Sequence, residues 1–197
     1  CADEQEIIKV FQRYQIAVFN DNGDLALQQI DRHTKDYYQQ MLHRSRYASA
    51  VESKSLSMND RFLLVRTRHE LSADELSSLD AEAYFKYSVD HEWIDKRSLS
   101  DLELVDVQIS GDHASSHLQK GEQTASYGFD FNRESGQWKI DLTSVFPALE
   151  QSMRVSVERF GGEENEFILQ VVGAVTRTPV DPYVWFPPLS PSAQPQQ

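Results

Sequence analysis

The densest group of titratable side chains in the sequence lies between Asp90 and Asp95. His91 is followed directly by Glu92 and stands four positions before Asp95. A histidine next to carboxylates provides a general base together with a group that can orient it. His91 and Asp95 are therefore candidate catalytic residues. The same stretch also fits a solvated loop in which Trp93 packs into the core, and the sequence leaves both interpretations open.

Three further residues could transfer protons. His33 stands three positions before Asp36, which gives a second pairing of imidazole and carboxylate. Asp130 and Asp141 fall on neighbouring predicted strands, where two carboxylates could share acid–base work. On those strands both aspartates face away from the aromatic residues, which favours a solvent-facing role. His33 and Asp130 complete the set of catalytic candidates.

Metal and cofactor motifs are weak in this sequence. His113 and His117 have a spacing that would place both on one side of a helix, but four positions of a strand span about 13 Å, too far for one ion. No Gly-rich phosphate loop, Ser/His/Asp motif or internal Cys/His pair occurs. We therefore predict neither a metal site nor a cofactor.

Alternating apolar residues predict a four-stranded antiparallel meander in the middle of the chain. The strands are expected over residues 102–109, 113–118, 125–132 and 137–142. The first strand would place Val105, Val107 and Ile109 on one face, and the third would do the same with Ala125, Tyr127, Phe129 and Phe131. Such a sheet has one strongly aromatic face, which helices or a partner must cover.

Helical periodicity surrounds the meander on both sides. Helices are expected over residues 4–19, 25–30, from 34 onward, 61–70, from 73, from 80, 145–160 and 163–175. We expect Gly23 to end the first helix in a left-handed conformation, Asp24 to cap the second and Thr34 to cap the third. Ser72 and Glu75 match a capping box.

Aromatic residues from these helices and strands could enclose a ligand. If a cavity remains between sheet and helices, its predicted lining is Tyr14, Tyr37, Tyr38, Trp93, Tyr127, Phe129 and Trp138. Tyrosine hydroxyls would then orient the ligand. The alternative is that the same rings simply fill the core.

Composition and the two ends of the chain suggest where the protein acts. Its net charge of −12 repels phosphate backbones, so nucleic-acid binding is not expected. A cysteine at position 1 followed by Ala2 resembles a mature bacterial lipoprotein, with residues 1–3 as the lipid-attachment segment and Cys1 as the lipidated residue. This resemblance implies an envelope protein facing the periplasm, and Ala2 rather than Asp implies the outer membrane. The alternative is that the chain begins at a cysteine by chance.

The segment 177–197 holds six of the seven prolines, which excludes a long helix or a central strand. Its apolar residues Tyr183, Val184, Trp185 and Phe186 either dock back on the domain or bind a partner. Residues 190–197 are expected to be disordered.

Helices followed by a meander that ends in Gln137–Leu142, with a break at Asn22–Leu25, resemble the nuclear transport factor 2-like superfamily. The resemblance implies an α+β fold over residues 4–142, in which a curved sheet wraps the N-terminal helices. Residues 143–176 form a helical extension and 177–197 the proline-rich tail.

The same superfamily hosts isomerases, dehydratases and cyclases as well as binding modules, so it does not fix a function. We predict a non-catalytic module that binds a small apolar ligand or an envelope protein. The alternative is an enzyme whose pocket His or Asp is the general base. The sequence leaves open whether the protein forms a dimer.

Overall fold

A computed structural model describes residues 1–190 of the chain. The protein has an α+β fold, as predicted. The described residues form two compact units, each held together by contacts among its own residues. Unit 1 contains residues 1–38 and 81–146, and unit 2 contains residues 39–80 and the described residues from 147 onward.

Within residues 1–190 the structure has ten α-helices and five β-strands. The helices are α1 (Ala2–Phe19), α2 (Gly23–Gln29), α3 (Arg32–Tyr47), α4 (Ala50–Lys54), α5 (Met58–Glu70), α6 (Ala73–Ser78), α7 (Ala81–Asp90), α8 (Lys96–Leu99), α9 (Phe146–Phe160) and α10 (Glu164–Thr176). The strands are β1 (Leu102–Ser110), β2 (His113–Lys120), β3 (Gln123–Thr124), β4 (Asp130–Glu134) and β5 (Gln137–Asp141). Two 3₁₀ helices span Leu142–Val145 and Pro182–Trp185. None of the described helices is long and apolar enough to cross a bilayer.

The sheet in unit 1 is antiparallel, with strand order β1-β2-β4-β5 and with β3 paired to β2. Its covered face buries alternate residues of β2, β4 and β5, as the period of two requires. These residues are Ala114, Ser116, Leu118, Phe131, Trp138 and Ile140. Helices α1 and α2 pack on β5, and α1 also contacts β1. The predicted cover of the aromatic face by N-terminal helices is thus confirmed.

The predicted third strand is wrong over residues 125–129. That stretch leaves the ladder and approaches β2 so closely that a Cβ on Gly128 would lie 2.2 Å from the carbonyl oxygen of Ser116. Ser116 Oγ donates to the carbonyl of Phe129 at 2.7 Å, and Leu118 N–H donates to that of Tyr127 at 3.0 Å. Phe129 turns inward, whereas Tyr127 is 40% exposed.

The predicted face of the first strand is also wrong. A bulge interrupts the pairing of β1 with β2 between Val105 and Gln108, and Asp106 adopts a positive φ of 54°. The extra residue reverses the alternation along the strand. Leu104 lies opposite Leu118 and is the buried residue of β1, and Val105 lies opposite His117 on the other face. Beyond the bulge Ile109 lies opposite the buried Ala114, so Val105 and Ile109 do not share a face.

The break between α1 and α2 uses different residues from those predicted. Asp21 takes the left-handed conformation, with φ of 53°, and Asn22 caps α2 in place of Asp24. Gly23 instead allows close packing of α2 on α7, because a Cβ there would lie 2.6 Å from the carbonyl oxygen of Lys86.

Unit 2 is organised by arginines that bind backbone carbonyls. The guanidinium of Arg68 on α5 donates to four of them at 2.8–3.1 Å, which belong to Arg44, Ser45, Ala48 and Val184. Arg46 donates to the carbonyls of Leu76, Ser77 and Leu79. The capping box predicted for Ser72 and Glu75 is confirmed at the start of α6.

The tail divides between the two alternatives left open by the sequence. Residues Pro182–Trp185 form a 3₁₀ helix, and Val184 and Trp185 are buried in unit 2. Tyr183 and Phe186 stay exposed, with ring centroids 6.0 Å apart. The predicted disorder at the end of the tail falls on residues 191–197, which lie outside the described part.

Candidate binding groove and polar cluster

A groove of about 700 Å³ lies in unit 1 between α1, α2 and the hairpin of β4 and β5. We call it the α1/α2 groove. Helix α1 contributes Asp3, Glu6, Val10 and Arg13, helix α2 contributes Leu25, Gln28 and Gln29, and the hairpin contributes Gly136, Gln137, Trp138 and Lys139.

The wall formed by Trp138 is held by hydrogen bonds and ion pairs. Its indole Nε1–H donates to Asp3 Oδ1 at 3.2 Å. The guanidinium of Arg133 lies 5.1 Å from the centre of the Trp138 ring and pairs with Asp3 at 3.4 Å and with Asp112 at 2.9 Å. A cation over an indole is attracted by its electron-rich face. The carboxylate of Asp3 is therefore engaged within the wall, by the indole N–H and by a guanidinium that it shares with Asp112.

Two cations lie in the groove without a carboxylate partner. The ammonium of Lys139 donates to the carbonyl oxygen of Gln28. Burial lowers the pKa of Lys139, the nearby charge of Lys35 lowers it further, and the charge of Glu134 opposes the shift. Arg13 has no hydrogen-bond or ion-pair partner among residues 1–190. The remaining acid, Glu6, pairs with Lys9 at 3.5 Å.

A polar cluster next to β5 brings together residues that the sequence analysis treated separately. His33 Nδ1 lies 3.1 Å from Asp141 Oδ2 and 3.1 Å from Thr143 Oγ1. In a hydrolytic triad the nucleophile and the acid contact opposite nitrogens of the imidazole. Here both contact Nδ1, so this arrangement does not form a triad. The side chain of His33 is also 67% exposed.

Asp31 forms the buried part of this cluster. Its carboxylate accepts hydrogen bonds from Thr34 N–H at 2.8 Å, Thr34 Oγ1 at 2.7 Å and Asn132 Nδ2 at 2.9 Å. The first of these bonds caps α3, so the prediction that Thr34 is the cap is wrong. Thr34 Oγ1 instead accepts from Leu142 N–H at 3.0 Å. Burial raises the pKa of Asp31.

Asp130 lies directly opposite Asp141 in the pairing of β4 with β5. Its carboxylate is 3.8 Å from His113 Nε2. Partial burial raises its pKa, His113 opposes that shift, and Asp141 adds to it. Two of the four catalytic candidates, His33 and Asp130, thus lie on either side of Asp141.

The other two candidates lie elsewhere in unit 1, in structural roles. The ring of His91 stacks on Tyr87 with centroids 3.7 Å apart, and His91 Nδ1 lies 3.0 Å from the Tyr87 carbonyl oxygen. Asp95 caps α8 by accepting from Arg97 N–H at 3.0 Å.

The seven residues predicted to line a pocket do not line one common cavity in the described structure; several of them pack against other aromatic rings. Tyr14 packs on Phe129 with centroids 6.4 Å apart, and Tyr37 packs on Tyr38 at 5.4 Å. Trp93 packs on Tyr84 at 6.3 Å. Trp138 is the member of the predicted set that lines the α1/α2 groove.

His113, His117 and Cys1 were considered as possible metal ligands or modification sites. His113 Nδ1 lies 3.1 Å from Asn132 Oδ1, and His117 Nδ1 lies 3.2 Å from Asp106 Oδ2. Across the described residues, no three histidine, cysteine, aspartate or glutamate side chains are arranged to hold a metal ion. Cys1 is exposed, and its lipidation stays a prediction.

The groove was missed in the sequence, although one signal for it exists. Asp3, Glu6, Val10 and Arg13 recur at spacings of three and four, which is a single stripe on α1. The opposite wall of the groove could not be predicted, because it combines α2 with β5, which are more than a hundred positions apart in the sequence.

No family model, curated protein or solved structure matches this chain.

Proposed function

We propose that the protein is a non-catalytic binding module and that the α1/α2 groove is its ligand site. The observation that carries the proposal is the groove itself. Its volume of about 700 Å³ is in the range of pockets that take small organic molecules. Its Trp138 wall is fixed by Asp3 and Arg133, so the surface needs little rearrangement to receive a ligand.

The groove favours binding over proton transfer. Its two carboxylates are engaged, Asp3 by Arg133 and Trp138 and Glu6 by Lys9. A general base needs an available lone pair within reach of the substrate. His33 was a candidate for the general base, and its imidazole has Asp141 as a carboxylate partner. His33 is not among the residues that line the groove. The alternative of an isomerase-like enzyme based on His33 would therefore place its chemistry outside the α1/α2 groove.

Nuclear magnetic resonance of the Trp138 indole N–H tests the site. We expect isophthalamide, isophthalate and 3-carbamoylbenzoate, used as probes at millimolar concentration, to shift this resonance, because the indole lies in the groove wall. Substitution Gln28→Trp should abolish the shift by filling the groove. Gln108→Trp, an exposed glutamine on β1, is the matched control and should preserve it. Absence of any shift with all three probes would contradict the proposal.

A further inference from the structure

The charge of the α1/α2 groove differs from that of the protein as a whole. The class of ligand that we infer from this difference rests on the proposed function of the groove. The chain carries a net charge of −12. Within the groove, however, each acidic side chain has a cationic partner outside the lining, Arg133 for Asp3 and Lys9 for Glu6. Among residues 1–190, neither cation of the lining forms an ion pair, although the carboxylate of Glu134 lies near enough to Lys139 to act on its charge.

Lys139 is the first of these cations. It is only partly exposed, and its ammonium donates to the carbonyl oxygen of Gln28, which satisfies one of its three N–H groups without neutralising its charge. Two nearby charges act on Lys139 in opposite directions: Lys35, which pairs with Glu82 at 3.5 Å, lowers its pKa, and Glu134 raises it. Burial is the larger cause of the lowered pKa, and a bound anion would stabilise the charged form of this half-buried ammonium.

Arg13 is the second cation. It lies on α1, on a different wall from Lys139, and has no hydrogen-bond or ion-pair partner within residues 1–190. All five N–H donors of its guanidinium are thus available to a ligand. Their planar fork matches the two oxygens of a carboxylate and binds them in parallel.

We propose that the α1/α2 groove selects small organic anions and that Arg13 and Lys139 each bind a carboxylate of the ligand. The recess provides apolar contact through Val10, Leu25 and Trp138, and the two cations determine the charge of what is bound.

Calorimetric titration with three probes of nearly equal size tests this selectivity. Isophthalate carries two negative charges, 3-carbamoylbenzoate carries one and isophthalamide carries none. We expect affinity to fall in that order, with isophthalate binding about tenfold or more tightly than isophthalamide, because each charge-assisted hydrogen bond adds to binding. Raising the salt concentration should weaken isophthalate and leave isophthalamide unchanged.

Variants assign the effect to the two cations. Arg13→Gln and Lys139→Gln should each lower the affinity for isophthalate by about three- to tenfold and leave isophthalamide within about twofold of the wild type. Arg13→Gln removes no contact described within the protein, so its fold should be unaffected. Arg97→Gln is the matched control, since that side chain is 92% exposed and does not line the groove.

The outcomes separate the two proposals. Equal affinity for all three probes, with the Trp138 shift retained, would overturn the anion selectivity and leave the groove as a binding site. A preference for isophthalate that is undiminished in both Arg13→Gln and Lys139→Gln would also overturn it. Failure of every probe to bind would overturn the binding site itself.

Discussion

Asp31 shows how one buried carboxylate connects a helix to the sheet. It caps α3 through Thr34 and holds Asn132 of β4 through its second oxygen. Because the side chain is fully buried, the ionised form is costly and the pKa rises. The same residue therefore contributes structure and a pH dependence of stability.

The raised pKa of Asp31 predicts the direction in which the stability of the protein changes with pH. A folded-state pKa above the unfolded value near 3.9 means that the folded state binds the proton more tightly, so stability is lost as pH rises through the folded pKa. Asp31→Asn removes this titration and can still cap α3. We expect its stability relative to wild type to increase between about pH 4 and pH 7, as measured by urea unfolding at each pH. A pH-independent difference would contradict the effect of burial.

Arg68 is the residue on which we expect unit 2 to depend most. Substitution Arg68→Met would remove a donor from four carbonyls, of which those of Arg44 and Ala48 keep a second donor within the fold. The expected loss is about 2–4 kcal/mol in the free energy of unfolding, measured by urea denaturation. The control Arg97→Met should change it by less than about 0.5 kcal/mol, because that side chain is exposed. Equal effects would show that the carbonyl contacts are not important.

At the scale of elements, Gly128 explains why the third predicted strand is interrupted. A methyl group there would collide with the backbone of Ser116, which cannot move without disturbing β2. Gly128→Ala should cost about 2–4 kcal/mol. Gly121→Asn is the contrast, since Gly121 has open space and a positive φ of 60° that asparagine tolerates. Thermal unfolding of both variants checks this, and an unaffected Gly128→Ala would be contrary to the close approach.

The tail residues of the second 3₁₀ helix offer a paired comparison. Trp185 is 4% exposed and Tyr183 is 77% exposed, although they are two positions apart. Trp185→Ala should destabilise the protein by about 3–5 kcal/mol, whereas Tyr183→Ala should have an effect within about 0.5 kcal/mol. Denaturant titration separates the two. Similar losses for both would contradict the docking of this segment.

Helices and most strands could be predicted because their signals are local. The apolar stripe of α1 and the capping box of α6 each depend on neighbouring residues. The bulge at Asp106 and the close approach of Gly128 could not be predicted, because both depend on the position of β2 relative to another segment. Likewise, Gly23 has a role only once α7 lies against it.

At the scale of the whole molecule, the acidic surface gives a further prediction. With a net charge of −12, the protein should not bind DNA in a mobility-shift assay at about 0.1 M salt. Non-specific binders have dissociation constants of about 1–100 μM under such conditions, so the assay needs protein up to about 100 μM. A shifted duplex in that range would show a basic surface strong enough to overcome the total charge.

The candidate site shows the limit of the sequence more clearly than the fold does. His33 and Asp130 were recognised as titratable candidates, but their relation through Asp141 appears only when α3 and the hairpin meet. Arg13 and Lys139 were not singled out as site residues, since an exposed cation on a helix and a cation on the outer face of a strand are ordinary features. Their proposed role in binding depends on the fold, which brings these two residues into one groove although they are more than a hundred positions apart in the sequence.

The most direct test of the binding groove is a crystal structure of the protein with isophthalate. We predict electron density for the ligand in the α1/α2 groove, with one carboxylate at the guanidinium of Arg13 and the other at the ammonium of Lys139. An empty groove at a saturating ligand concentration, or isophthalate bound at another surface, would contradict the account.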